Sequence, residues 1–289
     1  MSTALMGLMA EVSLHPGAES TVGVVDLPVS REAYTNYPVI TGSSLKGALR
    51  ARATELWGDN NEQIAAVFGN PNGAGGISVS DARLLLLPVR TLHGGPFKWV
   101  TCPYILERFQ RDCRMIGINI DLNVPALEKG ELLVAHNGAD ERDWTHLEEL
   151  CLDNKLAEET ILQVVKNIHL LISDRLHERT RQRLPGQLVI CHDDQFRYFA
   201  QYGLQVNARN RLDSNKISQG LWYEETIPPE TLFYALARSR MGESEPLKTV
   251  ASLFTDVPYL QVGGNETIGQ GWCAVTWTES DGESHVRES

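Results

Sequence analysis

Residues 157–183 place Ile161, Val164, Val165, Ile168, Leu171, Ile172 and Leu176 on one stripe at helical spacing, a pattern that no strand presents on a single face. It predicts one long helix over 157–183, ended by Pro185-Gly186. A second helix is predicted over 43–57. Ser43-Ser44 would cap it, Leu45, Leu49 and Leu56 recur along it, and Gly58 stops it. Shorter helices are expected at 102–112 and 247–254, and 140–153 reads as a charged helix or lid. Strand patterns occupy 4–14, 77–87, 132–135, 188–191, 196–199, 203–207, 221–225, 231–239, 259–262 and 272–278. This order predicts an α+β chain with largely antiparallel sheets, compatible with two ferredoxin-like units.

The length of 289 residues suits one large domain or two small ones. A net charge of −11 argues against binding nucleic acid over the whole surface, yet allows a local basic groove. Cations cluster at Lys46, Arg50 and Arg52, at Arg175, Arg179, Arg181 and Arg183, and at Arg209, Arg211 and Lys216. The Arg175–Arg183 group reads as the basic end of the long helix, facing its negative pole. The longest apolar run, 84–89, is too short to span a bilayer, so no membrane partner is expected. The first nine residues lack the pattern of a signal peptide. Five widely spaced cysteines without a CxxC point to neither structural zinc nor disulfides, and so to a reducing cytoplasm.

Several segments could carry chemistry. In the 263–271 loop, Gly263, Gly264, Gly269 and Gly271 surround Asn265, Glu266, Thr267, Ile268 and Gln270. Too little chain follows for a dinucleotide-binding βαβ unit, and Gln270-Gly271 stands where a P-loop needs Lys-Ser/Thr. Two readings stay open: a hairpin turn without a ligand, or a turn whose exposed N–H groups approach phosphate or ribose. Ser43 and Ser44 sit at a helix start, with Lys46 and Arg50 four apart on one face. This is either a capped helix or an anion site. Asp26, polar within Val24-Val25-Asp26-Leu27-Pro28, could be a general base or a metal ligand, or a turn former. His15 could be a second acid–base group or a satisfied loop residue. Cys191-His192-Asp193-Asp194 gives a weak hint of a metal site, unsupported by the spacing of the other histidines.

Taken in order, these segments resemble a known family. Pro38-x-Ile40-x-Gly42-Ser43-Ser44-x-Lys46-Gly47-x-x-Arg50, then Phe68-Gly69 with Gly76-Ile77-x-Val79-Ser80-Asp81-Ala82, then Gly263-Gly264-x-Glu266-Thr267-x-Gly269-x-Gly271, are similar to motifs of the RAMP superfamily of CRISPR-associated proteins. Leu14-His15-x-Gly17, the 23–32 segment with Asp26 and Arg31, and Leu221-Trp222-Tyr223-Glu224-Glu225 resemble the backbone subunit of the type III-B (Cmr) effector.

The resemblance implies a single RAMP domain over 1–289 with a modified ferredoxin-like, RRM-like core. It implies a lid-like insertion around 91–155 and a thumb-like hairpin around 206–221. It implies copies of the chain stacked helically on a guide crRNA, beside other Cmr-module subunits, cleaving complementary target RNA at regular intervals. Asp26 would be the catalytic residue, with His15, Glu224 and Glu225 as further candidates. Arg31, Ser43, Ser44, Lys46, Arg50, Arg209, Arg211 and the loop glycines would hold RNA. A divalent metal ion, magnesium or manganese, would assist, with Asp26 as the candidate ligand, and no organic cofactor is implied. Two other roles remain open: a non-catalytic RNA-binding scaffold and a guide-processing ribonuclease.

Overall fold

The computed structural model describes residues 2–18, 24–59, 61–136, 142–240 and 243–280. Its first strand, Thr3–Ala10, is buried along its whole length because it is paired antiparallel on both sides, with Leu232–Ser239 and with Trp272–Ser280. Gly7 belongs to this strand for a packing reason. A Cβ there would lie 2.3 Å from the carbonyl oxygen of Leu171, so only glycine lets the His169–Leu171 turn rest on the sheet.

Among the described residues this strand is part of a twelve-stranded sheet. In spatial order its main path runs Tyr259–Gln261, Trp272–Ser280, Thr3–Ala10, Leu232–Ser239, Ala82–Arg90, Phe97–Thr101, Leu188–Cys191, Glu131–Val134, Leu150–Leu156 and Trp144–Leu147. Most neighbours are antiparallel. Leu188–Cys191 runs parallel to Phe97–Thr101, and Leu150–Leu156 parallel to Glu131–Val134. The α+β, antiparallel-rich architecture therefore agrees with the expectation. The 91–155 segment supplies several strands of this sheet together with helix Pro103–Met115.

Helix α1 (Gly42–Trp57) leans on Tyr259–Gln261 and Ile77–Val79, and α2 (Glu62–Phe68) follows it. Helix α3 (Pro103–Met115) packs its apolar side on Ala82–Arg90. It also brings two buried polar groups into the core. Arg108 donates to both carboxylate oxygens of Glu32 at 2.8 Å. Asp112 accepts from Arg83 and from the Tyr234 hydroxyl, both at 2.7 Å. Burial and the Asp112 carboxylate hold the Tyr234 phenol well above its usual range, so it stays protonated.

Several sequence expectations are corrected. The 157–183 helix is two helices, α4 (Glu158–Ile168) and α5 (Asp174–Gln187), joined by the His169–Leu171 turn. Ile172 is extended (φ −119°, ψ 119°), and the Ser173 side chain accepts the N–H of Leu176, so an N-cap sits inside the apolar stripe. Helix α5 kinks at His177 and continues past Pro185 to Gln187. The Arg175–Arg183 group accordingly opens at the start of a helix. Arg181 still serves terminal carbonyls, those of His169 and Ile172 in the preceding turn, at 2.7 and 2.6 Å.

Residues 196–199 are helical, within α6 (Asp193–Tyr202). His192 caps this helix, Asp193 and Asp194 occupy its first turn, and Phe196, Phe199 and Ala200 form its buried stripe. The metal hint at 191–194 dissolves for the same reason. His192 is the cap, Asp193 accepts the Tyr104 N–H, Asp194 pairs with Lys129, and Cys191 is buried. The described part of 140–153 forms the hairpin Trp144–Leu147 and Leu150–Leu156, with Glu148 at positive φ in the turn; residues 140 and 141 lie outside the described residues. The final helix, α7 (Glu245–Ser252), packs against Leu232–Ser239.

Among the described residues, Gln205–Leu212 and Ser218–Thr226 form a two-stranded hairpin separate from the main sheet. Alternation gives it two faces. Arg209, Arg211 and Trp222 lie on one, and Val206, Leu212, Leu221 and Tyr223 on the other, all four of these last being exposed.

Candidate functional site

The 24–31 segment joins the base of this hairpin as a short added strand. Leu27 donates its N–H to the Tyr223 carbonyl at 3.1 Å, and Glu225 donates to the Leu27 carbonyl at 3.0 Å. This attachment presents Asp26. Its Oδ2 accepts the Tyr223 N–H at 2.8 Å, while the residue stays exposed to solvent.

Behind Asp26 the side chains are committed to the fold. Glu225 is buried, accepting the Val29 N–H at 3.0 Å on Oε2 and the Arg31 guanidinium at 2.7 Å on Oε1. Arg31 also donates to the carbonyls of Asn36 and Ala200, both at 2.8 Å. The resemblance implies that Arg31 holds RNA; in the structure its hydrogen bonds also make it a strut under the Asp26 loop. Buried His15 donates from Nδ1 to the Glu225 carbonyl at 2.8 Å. Glu224 is buried as well. Its Oε1 receives Asn265 Nδ2 at 2.5 Å and the Arg209 guanidinium at 3.3 Å. Positions 15, 26, 209, 224, 225 and 265 thus meet around one hairpin root.

The glycine loop departs from the expected cradle of free N–H groups. Gly264 donates to the His15 carbonyl at 2.9 Å, Gly271 to the Ser13 carbonyl at 3.0 Å, and Gly269 to the Glu266 carbonyl at 2.9 Å. The loop is built to sit on the 13–15 segment. At Gly263 (φ +82°) a Cβ would stand 2.6 Å from the His15 carbonyl oxygen. On the loop's outer surface, Gly263 and Glu266 share a groove with Ser44 and Gly47 of α1.

The start of α1 also differs from the expectation. Thr41, not Ser43, is the N-cap, accepting the Ser44 N–H at 3.4 Å. The Gly42 N–H donates to Asp81 Oδ1 at 2.7 Å, so a carboxylate already occupies part of the expected anion site. On the other side of α1, Ser43, Lys46 and Arg50 line a second groove with 69–79 and Arg240. Lys46 and Arg50 do share a face; they reach the carbonyls of Ile77 (3.4 Å) and Gly69 (2.9 Å). Arg240 was not anticipated, because only the strand order brings it to this groove. Among the described residues, neither Asp nor Glu lines it.

A resident divalent site fits poorly. No group of three His, Cys, Asp or Glu able to hold a metal occurs among the described residues. Both oxygens of Glu225 and one of Glu224 are already engaged by the fold.

The RAMP superfamily model matches residues 13–274. The chain belongs to the RAMP superfamily. Within it, the chain is 35% identical to the CRISPR system Cmr endoribonuclease Cmr4 of Pyrococcus furiosus, over 99% of this chain and all of that protein. It is 26% identical to the CMR subunit Cmr4 of Saccharolobus solfataricus, over 93% and 94% of the two chains. The crystal structure of oligomeric Cmr4 from Pyrococcus furiosus superimposes with a TM-score of 0.78 at 31% identity, covering 97% of this chain and 99% of that one. The RAMP fold described above is thus shared from end to end. A 22% identical chain of a type III-B Cmr-beta assembly has the same fold, with a TM-score of 0.73 over 95% and 96%.

Proposed function

We propose that this RAMP protein is the guide-RNA-binding backbone subunit of a type III-B CRISPR effector and cleaves the complementary target RNA. The observation that carries the reading is Asp26, an exposed carboxylate held by a main-chain N–H at the root of an isolated two-faced hairpin. The full-length likeness to a Cmr endoribonuclease supports it. Copies of the chain would stack on the crRNA beside other Cmr subunits in the cytoplasm, and the 205–226 hairpin would act as the thumb that displaces a base pair.

The chemistry follows from RNA itself. With a base displaced, the ribose 2′-OH can line up with the adjacent phosphorus. Asp26 accepts its proton as the oxygen attacks, and the bond from phosphorus to the 5′ oxygen breaks, the departing oxygen taking a proton from water. The products are a 2′,3′-cyclic phosphate and a 5′-hydroxyl. His15, bonded to the same strand at Glu225, is the second acid–base candidate. A divalent ion would assist by arriving with the RNA phosphates, since the described residues hold no group of three metal-ligating side chains.

Replacing Asp26 by Ala in a reconstituted guide-bearing complex separates this reading from a non-catalytic scaffold. Target cleavage should vanish while guide binding and assembly persist; persistent cleavage refutes the assignment. A guide-processing ribonuclease would instead cut repeat RNA as the isolated chain.

A further inference from the structure

Asn265 ties the glycine loop to the hairpin root by a side chain. It sits in the left-handed region (φ 65°, ψ 24°), where glycine would be more at ease. What asparagine adds is a carboxamide. Its Nδ2 donates to Glu224 Oε1 at 2.5 Å and to Gln270 Oε1 at 2.9 Å, so the loop is braced internally and against the hairpin. Glu224 has 4% of its side chain exposed, and a buried carboxylate requires such partners to stay in place. Its other partner, Arg209, comes from the opposite hairpin strand at 3.3 Å.

The residue preceding Glu224 is Tyr223, whose N–H holds Asp26. Three hydrogen bonds therefore fasten the Asp26 segment to residues 223–225: Tyr223 N–H to the Asp26 carboxylate, and the main-chain bonds from Leu27 to Tyr223 and from Glu225 to Leu27. The loop's other side faces Ser44 and Gly47 of α1 across a shared groove. We propose that Asn265 is a positioning residue. Through Glu224, it lets the seating of the glycine loop set the orientation of Asp26. The inference rests on the RNA-cleaving reading above and adds to it a coupling between the surface that grips RNA and the group that cuts it.

The test uses the reconstituted guide-bearing complex, with single-turnover target cleavage and guide affinity measured separately. Asn265→Gly keeps the left-handed backbone and removes only the carboxamide. It should slow cleavage roughly 10- to 100-fold, the scale of a reacting group displaced by about an ångström, with guide affinity unchanged. Asn265→Asp sets a carboxylate against Glu224. Its rate relative to the unsubstituted complex should recover as the pH falls and the pair shares a proton. Adding Glu224→Gln to Asn265→Asp restores a donor facing an acceptor and should restore cleavage. The coupling is overturned if Asn265→Gly cleaves at the unsubstituted rate, if cleavage falls only in proportion to guide binding, or if the double variant is no better than Asn265→Asp. An unsubstituted complex that does not cleave, or that cleaves equally well with Asp26→Ala, defeats the proposed function and this inference with it.

Discussion

The backbone N–H of Tyr223 donates to Asp26 Oδ2 at 2.8 Å, so the proposed general base is held by main chain and its position does not depend on which side chain occupies 223. Asp26→Asn retains an oxygen that can accept this bond and loses the basicity. Target cleavage should fall about 10²- to 10⁴-fold, the usual contribution of general base catalysis, with assembly intact. Tyr223→Ala keeps the N–H and should fall much less. Single-turnover rates on guide-bearing complexes compare the two, and equal losses would mean that the phenol, rather than the carboxylate's basicity, is at work.

Arg108 and Glu32 are the most deeply buried ion pair described, with 3% and 7% of their side chains exposed. Glu32→Ala leaves the guanidinium uncompensated beside Leu84 and Tyr104 and should destabilise the protein by about 3–5 kcal/mol. Joining it with Arg108→Met should return a large part of that loss, because the orphaned charge is removed. Denaturant unfolding of the isolated protein measures both. If the double variant were as unstable as the sum of the singles, the pair would be acting through packing rather than charge.

Local patterns made much of the fold legible. The period of Leu45 and Leu49, both buried, located α1, and the apolar runs located most of the main sheet. Errors arose where a local signal was overruled by a stronger neighbour. The apolar stripe through Leu171 and Ile172 hid the Ser173 cap, and the hydrophobic 196–199 run hid a helix already announced by Asp193 and Asp194. The site was less accessible. Asp26, Glu224 and the glycine loop could each be singled out, but nothing in their spacing says that Asn265 reaches Glu224 or that Arg240 joins Lys46. Those contacts depend on strand order, to which sequence distance is blind.

The hairpin tip is held by one carboxylate. Asp213 accepts the N–H groups of Ile217 at 2.9 Å and Asn215 at 2.8 Å, and these bonds, that from Ile217 foremost, lower its pKa below the ordinary aspartate value. A depressed folded pKa means that the stabilisation is complete above the unfolded value and disappears as pH falls through the folded one. Amide protection at 215 and 217 should therefore hold at neutral pH and be lost only below the ordinary aspartate range. Asp213→Ala should abolish it at every pH. Hydrogen exchange reads both, and protection unaffected by either change would show that the tip is ordered by its strands alone.

Arg240 tests whether the groove beside α1 carries the guide backbone. It is exposed, donates to the Gly75 carbonyl at 3.2 Å, and lines the groove with Lys46 and Arg50. Each phosphate neutralised on a single strand contributes about 0.7 to the slope of log affinity against log salt. Arg240→Ala should weaken guide binding equally for all guide sequences and reduce that slope by about one phosphate's share. Lys46→Glu with Arg50→Glu should weaken it further, most at low salt, because added negative charge repels the strand beyond the loss of two contacts. Binding titrations across a salt series distinguish this from a structural effect. A structural effect would lower affinity without changing the slope, and an unchanged slope in both variants would place the guide elsewhere on the molecule.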